Sequence, residues 1–362
     1  MSYNRFMMFF TKNDFSKQVQ ERVVSLDQLK KYIDITDDTK KAFEKTGSLF
    51  KWGTTPYYAS LMDKSDNLCP VRLQTLPSID EASDETSCSS YDPLLECENS
   101  PTDNIVQVYK DRVAFCISDS CASFCRFCFR KYYFKKRKSA AETIDSGIDY
   151  IRRNKEIRDV LLTGGDPFML DDDQLESILR RLREIKHVEI IRIGTRLLCT
   201  LPQRFNEDLA AMLEKYHPIY VNVQFNHEKE ITDEVMTAAA TLLKAGIPLQ
   251  NQSVLLRGVN DSVEALKKLN EKLLTARIIP YYLFQCQLIS GGAHFRVPIE
   301  EGINIMKKLR GYTTGFAIPQ YILDTPYGKV PLSHNRFIKR DGDYVHLETF
   351  SGKTWAEYNP AT

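Results

Sequence analysis

Between residues 113 and 286 the chain alternates apolar runs of strand character with amphipathic runs of helical period, about six times over. That alternation confines the fold to a parallel sheet with its crossover helices outside it, because parallel neighbours need a helix-length return. The run Arg112-Val-Ala-Phe-Cys-Ile117 opens the series, and strands are expected over 159–163, 188–193, 220–225, 249–255 and 281–286. Helices are expected over 209–215, 235–245 and 263–274, and along the stripe Leu175, Ile178, Leu179, Leu182 and Ile185. The fold class is α/β, a partial (β/α)6 TIM-like barrel, with chemistry at the C-terminal ends of its strands.

The flanks read differently. Residues 25–61 have helical character, with Leu26, Leu29, Ile33 and Ile35 followed by a Lys-rich helix through Phe43 and a turn at 53–56. Residues 79–104 are acidic, Ser-rich and Pro-punctuated, which predicts an irregular wrap. The expected division is an N-terminal helical and wrapping region over 1–105, a barrel core over 106–300 and a C-terminal segment over 301–362. A chain of 362 residues with 43% hydrophobic content can bury a large core. Forty-nine basic against 48 acidic residues, a net charge of +1, argue against a nucleic-acid partner held by phosphate contacts. The basic run Lys131, Lys135, Lys136, Arg137 and Lys138 is expected to be a solvated edge. No apolar stretch reaches bilayer-spanning length and Met1 opens a polar segment, so a soluble, cytoplasmic protein is expected. Nine cysteines, an odd number, fit a reducing compartment. Cys69, Cys88, Cys97, Cys116, Cys199 and Cys286 lack metal spacing and read as ordinary small side chains.

Cys121, Cys125 and Cys128 are another matter, because they stand in one short run, Cys121-Ala-Ser-Phe-Cys125-Arg-Phe-Cys128. A ferredoxin-type site closes its cluster with four thiolates and only passes electrons. Three thiolates leave one iron of a four-iron cluster open to bind a small molecule. Tetrahedral zinc is the rival, but a structural zinc site needs four closed ligands, usually paired in two short knuckles. No second pair follows, and His187, His217 and His227 lie too far along the chain for a local knuckle, which leaves only a long-range fourth ligand for zinc.

Two further segments end strands with polar chemistry. In Leu161-Leu-Thr-Gly164-Gly165-Asp166-Pro167 the glycines admit a ligand close to the backbone, where exposed amides can hold a carboxylate or amine. Asn251-Gln252-Ser-Val-Leu-Leu-Arg257-Gly258-Val-Asn260-Asp261 fits either satisfied polar caps or ligand contacts.

The cysteine spacing resembles the signature of the radical S-adenosylmethionine enzymes. That resemblance implies a 4Fe-4S cluster on Cys121, Cys125 and Cys128, S-adenosylmethionine on its open iron, and contacts to that cofactor from Gly164, Gly165, Asp166 and Gln252. The blocks Val160-Leu-Leu-Thr-Gly-Gly-Asp166, His187-Val-Glu-Ile-Ile-Arg192-Ile-Gly-Thr-Arg196, Leu201-Pro-Gln-Arg204, Phe225-Asn-His227, Gln252-Ser-Val-Leu-Leu-Arg-Gly-Val-Asn-Asp261 and Leu309-Arg-Gly-Tyr-Thr-Thr-Gly315 narrow it. From about Leu26 to Tyr358 the chain resembles the lysine 2,3-aminomutase family. That family uses a deoxyadenosyl radical with pyridoxal 5'-phosphate to move an amino group from Cα to Cβ.

By the same resemblance, Lys329, in Asp324-Thr-Pro-Tyr-Gly-Lys329, is the lysine for the pyridoxal aldehyde, carried on a flexible loop two residues shorter than the family's. Arg112 corresponds to the arginine that meets the cofactor phosphate and Arg130 to the one that holds the substrate carboxylate, a role suited to a bidentate guanidinium. Of the two family aspartates that clamp the substrate ammonium, Asp324 is kept and the other is Gln287. One carboxylate and one amide make arginine a credible alternative to lysine, since a guanidinium spreads its charge over five donors. A retained Asp324 argues against an acidic substrate. The family's structural zinc site is expected to be absent, because Ser262 replaces its inner cysteine and no cysteine follows Cys286. Expected partners are a small amino acid, a flavodoxin- or ferredoxin-like electron donor, and further copies of the chain in a dimer or tetramer.

Overall fold

A computed structural model describes residues 10–47, 49–82, 90–132 and 139–359. Met1, Cys88 and the basic residues Lys135, Lys136, Arg137 and Lys138 lie outside the described residues.

Among the described residues nine strands form one sheet in chain order: β1 (Ile105–Tyr109), β2 (Arg112–Ser118), β3 (Asp159–Gly164), β4 (Ile190–Thr195), β5 (Ile219–Val223), β6 (Leu249–Leu255), β7 (Ile279–Gln285), β8 (Gln320–Thr325) and β9 (Gly328–Pro331). Neighbours from β2 to β8 are parallel, and β1 and β9 close the two edges antiparallel. The six expected strands are β2 to β7, with β4 beginning two residues later than its apolar run. A seventh parallel strand, β8, extends the sheet past residue 300. Six helices, Ala140–Arg153, Asp172–Arg183, Glu207–Glu214, Asp233–Lys244, Val263–Thr275 and Ile299–Leu309, make the crossovers.

The crossovers form because each carries one apolar stripe and a start signal. In the helix Asp172–Arg183, Asp171 and Gln174 form a capping box, and Leu175, Ile178, Leu179 and Leu182 are buried at helical spacing. Each such side chain contributes about 1.5–3 kcal/mol on burial. Ser262, standing where the family's zinc ligand was considered, caps the helix Val263–Thr275 by accepting from Ala265 N. The helix Ala140–Arg153 had no counterpart in the sequence reading, because its buried face mixes Ala140, Thr143 and Gly147 with only two isoleucines.

Strand alternation separates two faces. On β3, β4 and β6 the residues under the helices are buried, while most of those between them, Leu161, Arg192, Gln250, Gln252 and Val254 among them, keep partial solvent access. The barrel lumen is therefore open and largely polar, unlike the filled interior of a complete eight-stranded barrel.

Among the described residues five short N-terminal helices lie between Lys12 and Thr75. The stretch 90–104 is irregular, as its composition predicts. After β9 comes a separate meander, β10 (Phe337–Asp341), β11 (Tyr344–Glu348) and β12 (Thr354–Tyr358). Among the described residues no helix is long and apolar enough to cross a membrane.

Candidate active site

The cysteine loop leaves the end of β2 and is gripped by the N-terminal region. Arg22 Nη1 donates to Cys121 O at 2.8 Å, Phe124 N to Gly53 O at 2.9 Å and Arg126 N to Gln74 O at 3.0 Å. Arg126 is fully buried, with its guanidinium on both oxygens of Glu81 and on Lys51 O. Removing one partner of such a pair strands a buried charge, at about 3–5 kcal/mol. Lys131 is not part of a solvated edge: the loop turns inward and its ammonium donates to Arg126 O and Gly291 O, each at 3.1 Å. Burial lowers its pKa to about 8.

Burial of the sulfurs pushes the Cys121 thiol well up and that of Cys128 up to about 11, with the neighbouring thiols adding to both. Coordination is the state that relieves this, because it holds a thiol deprotonated. Among the described residues no three His, Cys, Asp or Glu side chains converge on one point as a single ion requires. A four-iron cluster takes its thiolates at separate corners, which suits three spaced thiols on one loop. His187 and His217 bond instead to Ile151 O and Ala245 O, and His227 Nδ1 accepts from Lys229 N.

The Gly-Gly-Asp turn is built for the protein's own backbone as much as for a ligand. Gly164 has φ +124°, and a Cβ there would strike Ser118 O, while one on Gly165 would strike the backbone of Ser120. The amides of Gly165 and Asp166 donate to Ser118 O at 2.6 Å and Ser120 O at 2.7 Å, so these two are not the open amides expected from the sequence. The Asp166 carboxylate, 4% exposed, accepts from Thr195 Oγ1, Phe168 N, Arg196 N and Leu197 N. Burial nevertheless raises it to about 6. The carboxylate ties the end of β3 to the end of β4 and the turn after it, while the two amides tie β3 to the entry of the cysteine loop.

On β6 the two readings separate by strand face. Asn251, Ser253 and Asn260 are satisfied caps: Asn251 exchanges bonds with Phe225 backbone, Ser253 Oγ donates to Phe225 O, and Asn260 bonds Leu256 N, Asn226 O and Val254 O. Gln252 falls on the lumen face opposite Tyr282 of β7. Two residues earlier on the same face, Gln250 pairs with Asn222 of β5, which is 2% exposed and has no partner in the protein for either amide atom.

Lys329 lies in a tight hairpin rather than a flexible loop. Thr325 pairs with Gly328 across a two-residue turn, Thr325 Oγ1 donates to Gly328 O, and Asp324 stands directly opposite Lys329. That register brings Lys329 Nζ to Asp324 Oδ1 at 2.9 Å. Tyr109, at the end of β1, joins the other side: its hydroxyl accepts from Lys329 N at 2.7 Å, and Arg112 Cζ lies 3.8 Å from its ring centroid. Gly328, with φ +126°, leaves room for that hydroxyl. Tyr109 thus brings Arg112 and Lys329 together, and no motif marked it.

Arg130 is held by Glu96, with Nε 2.8 Å from Oε2 and Nη2 2.6 Å from Oε1, while its Nη1 donates to Thr163 Oγ1 at 2.9 Å. Gln287 Nε2 donates to the main-chain oxygen of Asp324 at 2.9 Å. The irregular stretch 90–104 links these groups, since Glu96 holds Arg130 and Asn99 Nδ2 donates to Pro326 O in the hairpin. Glu96 and Asn99 were invisible in the sequence because they sit in a segment without periodicity.

Residues 115–269 match the Radical SAM superfamily and residues 306–361 match Lysine-2,3-aminomutase. A putative L-lysine 2,3-aminomutase of Aquifex aeolicus is 45% identical over 93% of this chain and 92% of its own. The L-lysine 2,3-aminomutase of Clostridium subterminale is 43% identical over 94% of this chain and 82% of its own. A glutamate 2,3-aminomutase of Clostridioides difficile is 42% identical over 94% and 81% respectively. A radical S-adenosylmethionine enzyme works with a four-iron cluster and S-adenosylmethionine, which the cysteine loop and the open polar lumen fit. Near-complete coverage at this identity, with the cysteine loop and the C-terminal segment both matched, places the chain in the lysine 2,3-aminomutase family of isomerases.

Proposed function

We propose that the protein is a pyridoxal 5'-phosphate-dependent 2,3-aminomutase acting on a basic L-α-amino acid, lysine or arginine. The observation that carries the reading is the cross-strand pair of Asp324 and Lys329 with Gln287 bonded to the same backbone, a carboxylate, an amine and an amide at one hairpin.

In this reading Cys121, Cys125 and Cys128 hold the cluster, and Gln252 with the Gly164–Asp166 backbone bounds the S-adenosylmethionine side of the lumen. Bound together, the cofactors supply a hydrogen-abstracting radical and an electron sink for the migrating amino group. Lys329 offers the amine that anchors the pyridoxal aldehyde, and Arg112 faces its phosphate beside Tyr109. Arg130, oriented by Glu96, receives the substrate carboxylate through the edge of the guanidinium that also meets Thr163. The N-terminal wrap keeps bulk water from the cysteine loop. Fixing reactants in this way, rather than activating them, is the chain's main contribution.

At the distal end Lys329 uses Asp324 Oδ1, which leaves Oδ2 and the Gln287 carbonyl as acceptors. A guanidinium spans two such acceptors with less need of full countercharge than an ammonium has. The test is anaerobic turnover of L-lysine, L-arginine and L-glutamate with products identified by mass spectrometry. Arginine is expected to turn over with the higher kcat/KM. Gln287→Asp is expected to move the lysine-to-arginine ratio toward lysine by about 10- to 100-fold, the worth of about 1.4–2.8 kcal/mol in one added charge contact. Preference for glutamate would sink the basic-substrate reading. A flavodoxin- or ferredoxin-like protein would supply the electron.

Glu96 bears on the other end of the substrate. Glu96→Ala frees the Arg130 guanidinium, and KM is expected to rise about tenfold with a smaller change in kcat, the cost of one charge-assisted hydrogen bond. A lower KM would mean that Glu96 competes with the substrate carboxylate instead of aiming Arg130 at it.

A further inference from the structure

Cys125 is the middle cysteine of the loop, and its sulfur is met by a charge that no motif marks. Arg196, in the short turn after β4, donates from Nη1 to Cys125 Sγ at 2.6 Å. Its Nη2 donates to Tyr58 Oη at 2.9 Å, Gln74 Oε1 at 2.8 Å and Glu230 Oε1 at 3.0 Å. Its Nε is buried with no partner in the protein. Glu230 is completely buried behind it and accepts from Tyr58 Oη at 2.5 Å, Gln74 Nε2 at 3.2 Å, Asn226 N at 2.6 Å and His227 N at 2.8 Å. The backbone amide of Arg196 is itself pinned by Asp166.

A guanidinium stays charged at any pH a protein tolerates. Held by four elements of the fold, it cannot swing away. Away from water, a fixed charge against a sulfur acts at close to full strength.

We infer that the Arg196–Glu230 pair sets the reduction potential of the cluster through Cys125, with Arg196 raising it and Glu230 limiting how far. The inference rests on the reading that the three cysteines carry the cluster. The physical step is simple. Reduction adds one electron to the cluster and its sulfurs, a cation bonded to a ligand sulfur stabilises that added charge, and a carboxylate behind the cation cancels part of the effect. Arg196 and Glu230 are positioning and tuning residues in this account, since neither is placed against substrate.

The two residues therefore predict shifts of opposite sign, which a merely structural role would not produce. The experiment is an EPR-monitored potentiometric titration of the anaerobically reconstituted full-length chain and of Arg196→Gln and Glu230→Gln, with iron and sulfide measured on each sample. Arg196→Gln is expected to lower the reduced-to-oxidised ratio at a given poise by about tenfold or more, a shift of about 59 mV to more negative potential for one electron. Glu230→Gln, nearly isosteric, is expected to shift the potential to more positive values. Loaded variants with unchanged potentials, or shifts of the same sign, overturn the inference. If Arg196→Gln cannot hold a cluster, the sign of the Glu230→Gln shift decides alone. A wild-type chain that carries no cluster signal would instead overturn the cysteine assignment on which the inference stands.

Discussion

Alanine in place of Cys121, Cys125 or Cys128 is expected to cut bound iron and sulfide to a small fraction of the wild-type content and to reduce turnover by about four orders of magnitude or more, because no step can begin without the cluster. The three are equivalent in this respect: a cluster left with two protein thiolates has lost its seat. Alanine at Cys97 or Cys286 is the contrast. Cys97 is exposed and Cys286 is buried in the small apolar cluster with Phe127 of the loop, and neither substitution should change the iron content. Iron analysis and the EPR signal of the reduced chain decide the matter. Stoichiometric zinc in the wild type, lost in the same three variants, would sink the radical reading and leave a closed metal site in its place. The fold should survive each change, since Arg22, Arg126 and Lys131 anchor the loop independently of the one thiol contact, that of Cys125 with Arg196.

The barrel core was legible because its physics is periodic. Parallel strands buried beneath helices read as apolar runs, and the stripe from Leu175 to Leu182 reads as a helix with its own cap. The segments that went unread lack that regularity. β8 is a single six-residue strand following a helix that had also been missed, and its neighbour β9 is largely exposed. The strands β10 and β12 are exposed along their whole length, so no alternation marks them. Local propensity had little to work with there.

The site shows the same division more sharply. Cysteines at short spacing announce themselves, and Lys329 stands out once the family blocks are in view. What orients those groups is long-range. Tyr109 meets a hairpin over two hundred residues later, Glu96 meets Arg130 from an unpatterned turn, and Arg196 reaches back to Cys125. Each of these partners is an ordinary residue until the chain folds. The Gly164–Asp166 turn shows the converse, a motif whose sequence suggests open amides for a ligand but whose Gly165 and Asp166 amides and Asp166 carboxylate are spent on Ser118, Ser120 and the start of the turn after β4. In the sequence a turn that binds and a turn that braces look alike.

The second large effect concerns Lys329. Lys329→Ala is expected to abolish retention of pyridoxal phosphate through gel filtration and to lower turnover by about three orders of magnitude or more, the scale seen when a covalent anchor is removed. Stability should barely move. Lys329 and Asp324 are each partly exposed, and an ion pair of that kind is worth about 0–1 kcal/mol. Lys329→Arg separates the two roles, since it can keep the contact with Asp324 but offers no amine to an aldehyde. It is expected to be as inactive as the alanine variant. Borohydride treatment of the wild-type holoenzyme followed by peptide mapping should place the pyridoxyl label on Lys329. A second amine to weigh is Lys131, whose pKa burial brings down to about 8. Its ammonium is already capped by Arg126 O and Gly291 O, however, and Arg112, the arginine proposed for the cofactor phosphate, stands beside Tyr109 at the hairpin. A label on Lys131, or a Lys329→Ala chain that still holds the cofactor, would move the pyridoxal site off the hairpin and take the role proposed for Asp324 with it. Geometry favours the hairpin, because an amine, a carboxylate and an arginine-backed tyrosine meet there.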